Sequence, residues 1–509
     1  MSWEPTPLEQ KRLEKIEQLR EAGIEPYPLR VERTHTSAEA IAAFEAAELE
    51  NGADAPEIEA TLTGRIMSSR DMGKTVFAHI EDGYGRIQLF IRRDAIGEES
   101  HQIFRKLLDL GDFVQATGVL FRTRTGEVSL RVSDWKLLAK AVSPLPVVKE
   151  QEVDGELVRH NAFSDVEERY RQRYADLAVN PDVRDIFKIR AKVISALRRY
   201  FEDHDFLEVE TPVLQPLYGG AAARPFTTHH NQLKQELYLR ISFELYLKRL
   251  LVGGIERVYE IGRDFRNEGV SFKHNPEFTM LEFYAAYWDY HNVMDFTEGM
   301  VKYVAEHVWG KSEISYQGKT IQLGGTWPRI TMRDAIKQFA EIDYMAHPDA
   351  DSLGQAIRAA GGHAPAGASW GKLIDGLFGD FVEPKLIQPT IITTYPRDIS
   401  PLAKAIPGDP KHVERFEFFI AGMEMGNAFT ELNDPIDQQK RFEDLQKMYA
   451  KDDDELNPID EDYLRAMRYG MPPNGGFGVG VDRLVMLMAD KATIREVLLF
   501  PHLRERDEG

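Results

Sequence analysis

The sequence predicts an α+β fold in two parts: a small closed β-barrel near the N-terminus, then a larger domain built on an antiparallel sheet flanked by helices. Three observations carry that reading. Five short runs with alternating apolar residues lie between Ala60 and Leu138, separated by turn residues. Two strand-like runs flank a polar, glycine-containing loop between Tyr259 and Tyr287. Between these regions, Asn180 to Phe201 repeats apolar residues at helical spacing.

Composition narrows the class. Of 509 residues, 43% are hydrophobic, enough for large cores and for more than one domain. No segment approaches the ~18 unbroken apolar residues of a membrane span, and the charged N-terminus lacks the apolar core of a signal peptide. A soluble, cytoplasmic protein with no membrane partner is expected. The absence of cysteine excludes disulfides, thiolate nucleophiles and Cys-based zinc sites, so any metal must be held by oxygen or His. A net charge of −20 argues against nonspecific nucleic-acid binding over the whole surface. A local basic face remains open, because Arg65, Arg70, Lys74, Arg86, Arg92 and Arg93 meet only Asp71, Glu81 and Asp82. The acidic excess gathers elsewhere, notably in Lys451 to Glu461, which reads as a solvated connection.

In chain order, Thr6, Pro7 and Glu9 form a capping-box start, and Gly23 stops a charged helix with apolar positions at Leu13, Ile16 and Leu19. This begins a helical arm over residues 1–59. The runs ATLTGRIMSS, TVFAHIEDG, GRIQLFIRR, DFVQATGVLFRT and EVSLRVSDWKLL, with a helical stretch near Ser100 to Leu110, fit a barrel of the OB type over 60–142. Such barrels bind single-stranded nucleic acid. Residues 143–168 carry prolines and charge with no clear period, and are read as a linker. Asn180 is the expected cap of the next helix, with Pro181 at its first position. That helix leads into a strand, FLEVETPVL, ending near Pro212.

From Tyr259 to Tyr287, strand alternation puts Arg266 and Glu268 on one face, and likewise Phe278, Met280, Glu282 and Tyr284. Phe265, Leu281 and Phe283 take the opposite, core-like parity. A guanidinium can fork onto a phosphate, a ring can stack on a base, and a carboxylate can accept a hydrogen bond from an exocyclic amine. That combination suits a nucleotide. His274, Asn275 and Phe278 follow at short offsets, and Gly478, Gly480, Asp482 and Arg483 appear far downstream.

Six stretches occur in a telling order: RYRQRYADL (Arg169 to Leu177), GGAAARPFTTHHN (Gly219 to Asn231), ELYLKRLLVGG (Glu244 to Gly254), HNPEFTMLEFY (His274 to Tyr284), GNAFTELND (Gly426 to Asp434) and GVGVDR (Gly478 to Arg483). Together they resemble the class II lysyl-tRNA synthetases over about Ala60 to Arg504. The resemblance implies a class II synthetase catalytic domain over 169–509, with motif 1 at about 183–214, motif 2 at about 259–287 and motif 3 at about 476–490. A helical insertion, helices plus a strand, is expected at about 331–400. The linker around Val147 to Val158 looks longer than usual and the tail after Pro501 differs, but neither departure reaches a motif residue.

By the same resemblance, Arg266 would contact the α-phosphate of ATP, Glu268 the adenine amine and Phe278 the ring face. His274, Asn275 and Arg483 would handle the outer phosphates, with Gly480 beside them, and Arg266 and Arg483 are implied as the catalytic pair. No Walker-type glycine loop is present, so arginine side chains would replace backbone amides as the phosphate cradle. Arg483 could instead be a structural salt-bridge arginine, although Gly476, Gly478 and Gly480 would allow a ligand close approach. Glu417 and Glu424 resemble the family's Mg²⁺ ligands. A tight turn near Ile420 and Ala421 would set them opposite each other, and two carboxylates plus ATP phosphates suit that ion; alternatively one points to solvent.

Gly220, Ala221, Glu244, Glu282, Tyr284, Asn427, Phe429 and Glu431 match the family's lysine-site positions. Glu244 and the Gly220 backbone would take the α-amino group, Arg266 and Asn427 the carboxylate. Phe429 would line the alkyl stem, and Glu431 with Tyr284 would receive the ε-ammonium. A neutral or anionic substrate would leave Glu431 desolvated and unpaired, costing ~3 to 5 kcal/mol. In the barrel, Arg70, Phe77, Gln88 and Glu127 fall where the family reads the uridine-rich anticodon, although Phe77 by its own pattern reads as barrel core.

The implied activity is that of a lysine–tRNA ligase: L-lysine and ATP give lysyl-adenylate, and lysyl passes to the 3′ end of tRNA-Lys. The implied assembly is a homodimer through motif 1, although a core helix followed by a strand needs no dimer. Two other readings stand beside it. A synthetase-like enzyme that lysylates a protein would lack the barrel, and a noncatalytic tRNA-binding paralogue would have lost motif residues.

Overall fold

Period-two alternation near the N-terminus closes into a barrel. The computed structural model describes residues 3–52, 56–146, 148–153, 156–161, 163–448 and 458–505, and the chain divides into two compact units, Met1–Arg169 with Tyr174–Val179, and Tyr170–Arg173 with Asn180–Gly509. In the first unit, β1 (Glu59–Asp71), β2 (Thr75–Glu81), β3 (Arg86–Arg92), β4 (Phe113–Arg122) and β5 (Val128–Ala139) close in the order β1-β2-β3-β5-β4. Each inward parity is apolar and buried: Val76, Ala78 and Ile80 from β2, Ile87, Leu89 and Ile91 from β3. The expected helix near Ser100 to Leu110 spans Glu98–Leu107. Helix Pro7–Glu21 begins with the reciprocal Thr6/Glu9 capping box and buries Ile16 and Leu19. A second capping box, Thr36/Glu39, opens helix Ser37–Asn51.

The linker is more regular than its sequence suggests. Strands β6 (Val148–Val153) and β7 (Glu156–Asn161) pair antiparallel, a backbone hairpin that the mixed prolines and charges had concealed. The acidic run from Lys451 lies outside the described residues up to position 457; its end is ordered, with Asp460 capping helix Glu461–Arg468.

In the second unit, nine strands form one sheet: β8 (Leu207–Glu208), β9 (Arg257–Phe265), β10 (Glu277–Ala286), β11 (Arg329–Thr331), β12 (Thr390–Pro396), β13 (Ala405–Ile406), β14 (Asp409–Ile420), β15 (Met423–Thr430) and β16 (Asn474–Gly480). Their order is β11-β12-β14-β15-β16-β10-β9-β8, with β13 beside β14. All pairs are antiparallel except β8 with β9 and β11 with β12. Helices Pro181–Glu202, Tyr290–Trp309 and Val481–Met488 contribute Leu197, Phe201, Met300, Val301, Leu484 and Val485 to a core that also buries Tyr259, Leu281 and Phe283. Phe201 stacks on Tyr259 with ring centroids 4.7 Å apart. This apolar layer covers one face of the sheet; the opposite face carries two smaller apolar clusters, around Ile392, Val413 and Phe419 and around Val258 and Tyr284, with the polar groups of the site among them. Among the described residues, no helix is long and apolar enough to cross a membrane.

Three expectations change here. The strand expected to reach Pro212 shrinks to Leu207–Glu208, because Glu210 to Val213 leave the ladder. Asn180 sits at the N-cap position, but its side chain makes no capping hydrogen bond. The strand within 331–400 is no separate insertion: β12 pairs with β14 inside the main sheet, flanked by helices Met332–Ala340, Ala350–Ala359 and Trp370–Phe381.

Candidate active site

On the polar face of the sheet, register brings the site together. Across β9 and β10, Asp264 pairs with Phe278 and Glu260 with Glu282. Across β10 and β16, Glu282 pairs with Gly478 and Tyr284 with Gly476. A cavity of about 360 Å³ opens over this face. It is bordered at one end by Arg266, Glu268, His274, Asn275, Phe278, Gly480 and Arg483, and at the other by Gly220, Ala221, Glu244, Glu282, Tyr284, Asn427, Phe429 and Glu431. Glu424 also lines it; Glu417 does not.

At the cationic end, β9 stops at Phe265, so Arg266 and Glu268 lie just past the strand rather than on its face. One ladder bond continues from the Arg266 amide to the Pro276 carbonyl at 2.9 Å and keeps the segment in register. The Arg266 guanidinium sits 5.1 Å from the Phe278 ring centroid, a cationic and an aromatic surface side by side. Arg483 donates to the Glu424 carbonyl at 2.6 Å and lies 3.2 Å from its carboxylate. It therefore has the structural salt bridge considered for it while also facing the cavity. His274 Nδ1 pairs with Ser271 Oγ at 2.8 Å, and Nε2 lies 3.4 Å from Arg483. Burial, reinforced by the Arg483 charge, lowers its pKa and favours the neutral ring. Asn275 is held by the Glu277 carbonyl at 2.5 Å.

At the acidic end, Gly220 adopts φ +88°, and a β-carbon there would crowd Ser242 Oγ at 2.9 Å. Ser242 Oγ donates to Glu282 at 2.8 Å, and the Tyr284 hydroxyl donates to the other Glu282 oxygen at 3.2 Å. Burial pushes Glu282 up to about 8, with the charges of Asp264 and Glu244 adding to it. Burial likewise pushes Glu431 up to about 8 against the pull of Lys248. Lys248 corrects one expectation: Glu431 does not wait unpaired for a substrate cation, because the Lys248 ammonium lies 2.5 Å from it and 2.5 Å from Glu244.

The proposed metal pair is also rearranged. The hairpin turn falls on Ala421 and Gly422, both with positive φ, one residue later than expected. A bulge between Phe418 and Phe419 then places Glu417 opposite Asn427, and Glu424 opposite Phe419. The carboxylates are therefore not cross-strand partners. Glu417 is bound by Arg415 at 2.6 Å, and Arg415 also donates to Asn427 Oδ1 at 3.0 Å. Burial pushes Glu417 up to about 7 despite Arg415, and the Glu424 charge adds to the push. Two acids that feel each other, one of them held near neutrality, suit a divalent cation completed by phosphate oxygens. No group of three or more candidate ligands occurs among the described residues, so protein oxygens alone would not saturate the ion.

On the barrel, Phe77 sits on the outer parity between the inward Val76 and Ala78, not in the core. Its ring centroid is 5.1 Å from Phe90, which is 5.5 Å from Phe121. Beside this aromatic stripe, Glu127 accepts from Gln88 at 2.8 Å and pairs with His79 at 2.8 Å, while Arg70 is exposed across the ladder from Phe77. The four expected residues thus share one outer face. Phe90 and His79, which sequence reasoning passed over, carry the same outward parity signal. Ser242, Lys248 and Arg415 were also missed; only the i, i+4 spacing of Glu244 and Lys248 offered a hint.

A family model for class II tRNA synthetases (D, K and N) matches residues 165–504, and one for an OB-fold nucleic-acid-binding domain matches 60–138. The chain is 54% identical over 502 residues to the lysine–tRNA ligase of Chloroflexus aurantiacus, covering 98% of this chain and 99% of that protein. It is 51% identical over 501 residues to that of a Roseiflexus species, covering 98% and 99%. With that of Bacillus subtilis it shares 47% over 500 residues, covering 98% and 97%. An aromatic outer face on the barrel and, in the second unit, a cavity bordered by arginines and buried glutamates thus accompany full-length kinship: the chain belongs to the class II tRNA synthetases (D, K and N), among its lysine–tRNA ligase relatives.

Proposed function

We propose that the chain is a lysine–tRNA ligase that activates L-lysine with ATP and transfers lysyl to the 3′ end of tRNA-Lys. The observation that carries this reading is one cavity of about 360 Å³ bordered both by Arg266 and Arg483 and by three buried glutamates, Glu244, Glu282 and Glu431. Adenine stacks on Phe278 with its amine toward Glu268, and Arg266, Arg483, Asn275 and neutral His274 hold the triphosphate. The lysine ammonium groups enter the acidic end, and its carboxylate meets Arg266 and Asn427.

In the first step a lysine carboxylate oxygen attacks the α-phosphorus in line, the bond to pyrophosphate breaks, and lysyl-adenylate forms. The nucleophile is already an anion, so no general base is needed. Positioning and charge neutralisation by Arg266 supply most of the acceleration. Mg²⁺ held by Glu417 and Glu424 would neutralise charge on the leaving pyrophosphate. In the second step the terminal ribose hydroxyl of tRNA attacks the lysyl carbonyl and AMP departs.

The outer barrel face of Arg70, Phe77, Gln88 and Glu127 reads the anticodon by stacking and edge hydrogen bonds. Exposed Leu207, Val213, Leu214 and Leu217 around the motif 1 turn support a homodimer through that segment. We assign the boundaries as arm 1–59, barrel 60–142, linker 143–168 and catalytic domain 169–509, and the location as cytoplasmic. The test is radiolabelled pyrophosphate exchange into ATP, with and without lysine, followed by charging of tRNA. Exchange that does not depend on lysine would rule the reading out.

A further inference from the structure

The reaction above leaves one buried charge in the amino-acid pocket without a part. Lys248 lies on the helix Glu244–Val252, and its side chain is wholly excluded from water. Its ammonium is 2.5 Å from Glu244, one turn back on the same helix, and 2.5 Å from Glu431, just past β15. Tyr284 on β10 presents its ring 5.7 Å away. Tyr463, from the helix Glu461–Arg468, also faces it, and Glu282, from β10, lies next in line beside Tyr284 and Glu244. A Glu and Lys spaced i, i+4 usually decorate a helix surface, where the pair contributes little. Here both are buried, where removing one partner leaves the other uncompensated.

Counting charge explains why a lysine belongs there. Glu244, Glu282 and Glu431 carry three negative charges when ionised, and Lys248 cancels one, which leaves two. Free lysine brings two ammonium groups, and its carboxylate is taken up separately by Arg266 and Asn427. The pocket and its substrate therefore balance only when Lys248 is present and charged. We propose that Lys248 is a positioning residue for amino-acid specificity: clamped between Glu244 and Glu431, it holds both carboxylates in place and sets the pocket to accept an amino acid with two ammonium groups. This rests on the ligase reading above. Burial opposes the charged form of Lys248, but Glu244 and Glu431 outweigh it and keep the ammonium charged. Without that cation the buried acids hold their protons more tightly still, and the substrate must expel them at a greater cost.

The experiment uses the full-length protein with Lys248→Met and Lys248→Ala. Lysine KM, ATP KM and kcat are read in pyrophosphate exchange, and ATP binding is measured separately without lysine. Lysine KM is expected to rise at least about tenfold with ATP binding within about twofold, as for a misplaced binding group. In Lys248→Met, lysine KM should fall more steeply than in wild type as pH rises from about 7 to about 8.5, because the acids that must ionise for binding then lack the cation that favours their charged form. Propylammonium should restore Lys248→Ala, and propanol of the same length should not. A lysine KM within about threefold of wild type overturns the proposal. So does a joint loss of ATP and lysine binding that propylammonium leaves unchanged, which would make Lys248 a fold-holding residue. Absence of lysine-dependent exchange in the wild type would instead defeat the ligase reading itself.

Discussion

Gly476 on β16 backs directly onto Glu431, so closely that a β-carbon at position 476 would collide with a Glu431 carboxylate oxygen and with the Tyr284 ring. The close approach that this glycine permits is to the protein's own acid, not to a ligand. Gly476→Ala should displace Glu431 and Tyr284, with an overpacking cost of about 1 to 3 kcal/mol. We expect lysine KM to rise at least tenfold while ATP binding persists. Gly376→Ala, where an added β-carbon meets nothing within 4 Å, is the control. Equal lysine KM values in the two variants would contradict the packing argument.

Arg415 links the acid proposed for Mg²⁺ to the amide proposed for the lysine carboxylate, holding Glu417 at 2.6 Å, Asn427 at 3.0 Å and Ser400 Oγ at 2.9 Å. A lysine cannot reproduce that fork. Arg415→Lys is therefore expected to weaken lysine and Mg²⁺ dependence together, each by roughly tenfold, the scale at which ligand-supporting residues act. Titrating both in the exchange assay checks this, and a loss confined to one of them would show that the link is not functional.

Burial raises Glu282 and Glu431 from 4.5 to about 8. Between those values the folded, ligand-free chain binds more protons than the unfolded one, so the contribution of these groups to stability is fully present below about pH 4.5 and is lost as pH rises through about 8. The ammonium groups of lysine favour the ionised acids and reverse the effect. The lysine-induced rise in melting temperature should accordingly grow from about pH 6 to about pH 8.5, and lysine binding near pH 7 should release protons, measured by calorimetry in buffers of differing ionisation heat. Zero proton release would mean that the two carboxylates are already ionised.

The barrel was legible because each strand alternates cleanly; Val76 and Ala78 point inward and Phe77 and His79 outward without help from the rest of the fold. Leu281 and Phe283 against Glu282 and Tyr284 were legible for the same reason. What escaped depends on one-residue events. The bulge at Phe418/Phe419 shifted Glu424 away from Glu417, and a bulge leaves no mark in alternation. Lys248 was hidden in plain spacing, because only tertiary burial distinguishes a solvated Glu–Lys pair from a clamp. Hairpin β6–β7 pairs through backbone groups that every residue carries, so its mixed sequence gave no period to read.

The barrel and the catalytic cavity should be separable in assay. Phe77→Ala or Gln88→Ala is expected to weaken tRNA charging by about 1 to 3 kcal/mol, the scale of one stacked base, and to leave lysine-dependent pyrophosphate exchange within about twofold. Parallel losses in both assays would contradict this division.

A cation-seeking acidic pocket beside a phosphate grip should choose its substrate by charge. Pyrophosphate exchange with lysine and with norleucine, which has the same stem without the ε-ammonium, reads that choice in wild type and in Glu431→Gln. We expect at least about a hundredfold preference for lysine in wild type, collapsing in the variant, because a site built for a polar group strongly rejects the analogue that lacks it. Comparable exchange with both amino acids in the wild type would contradict it.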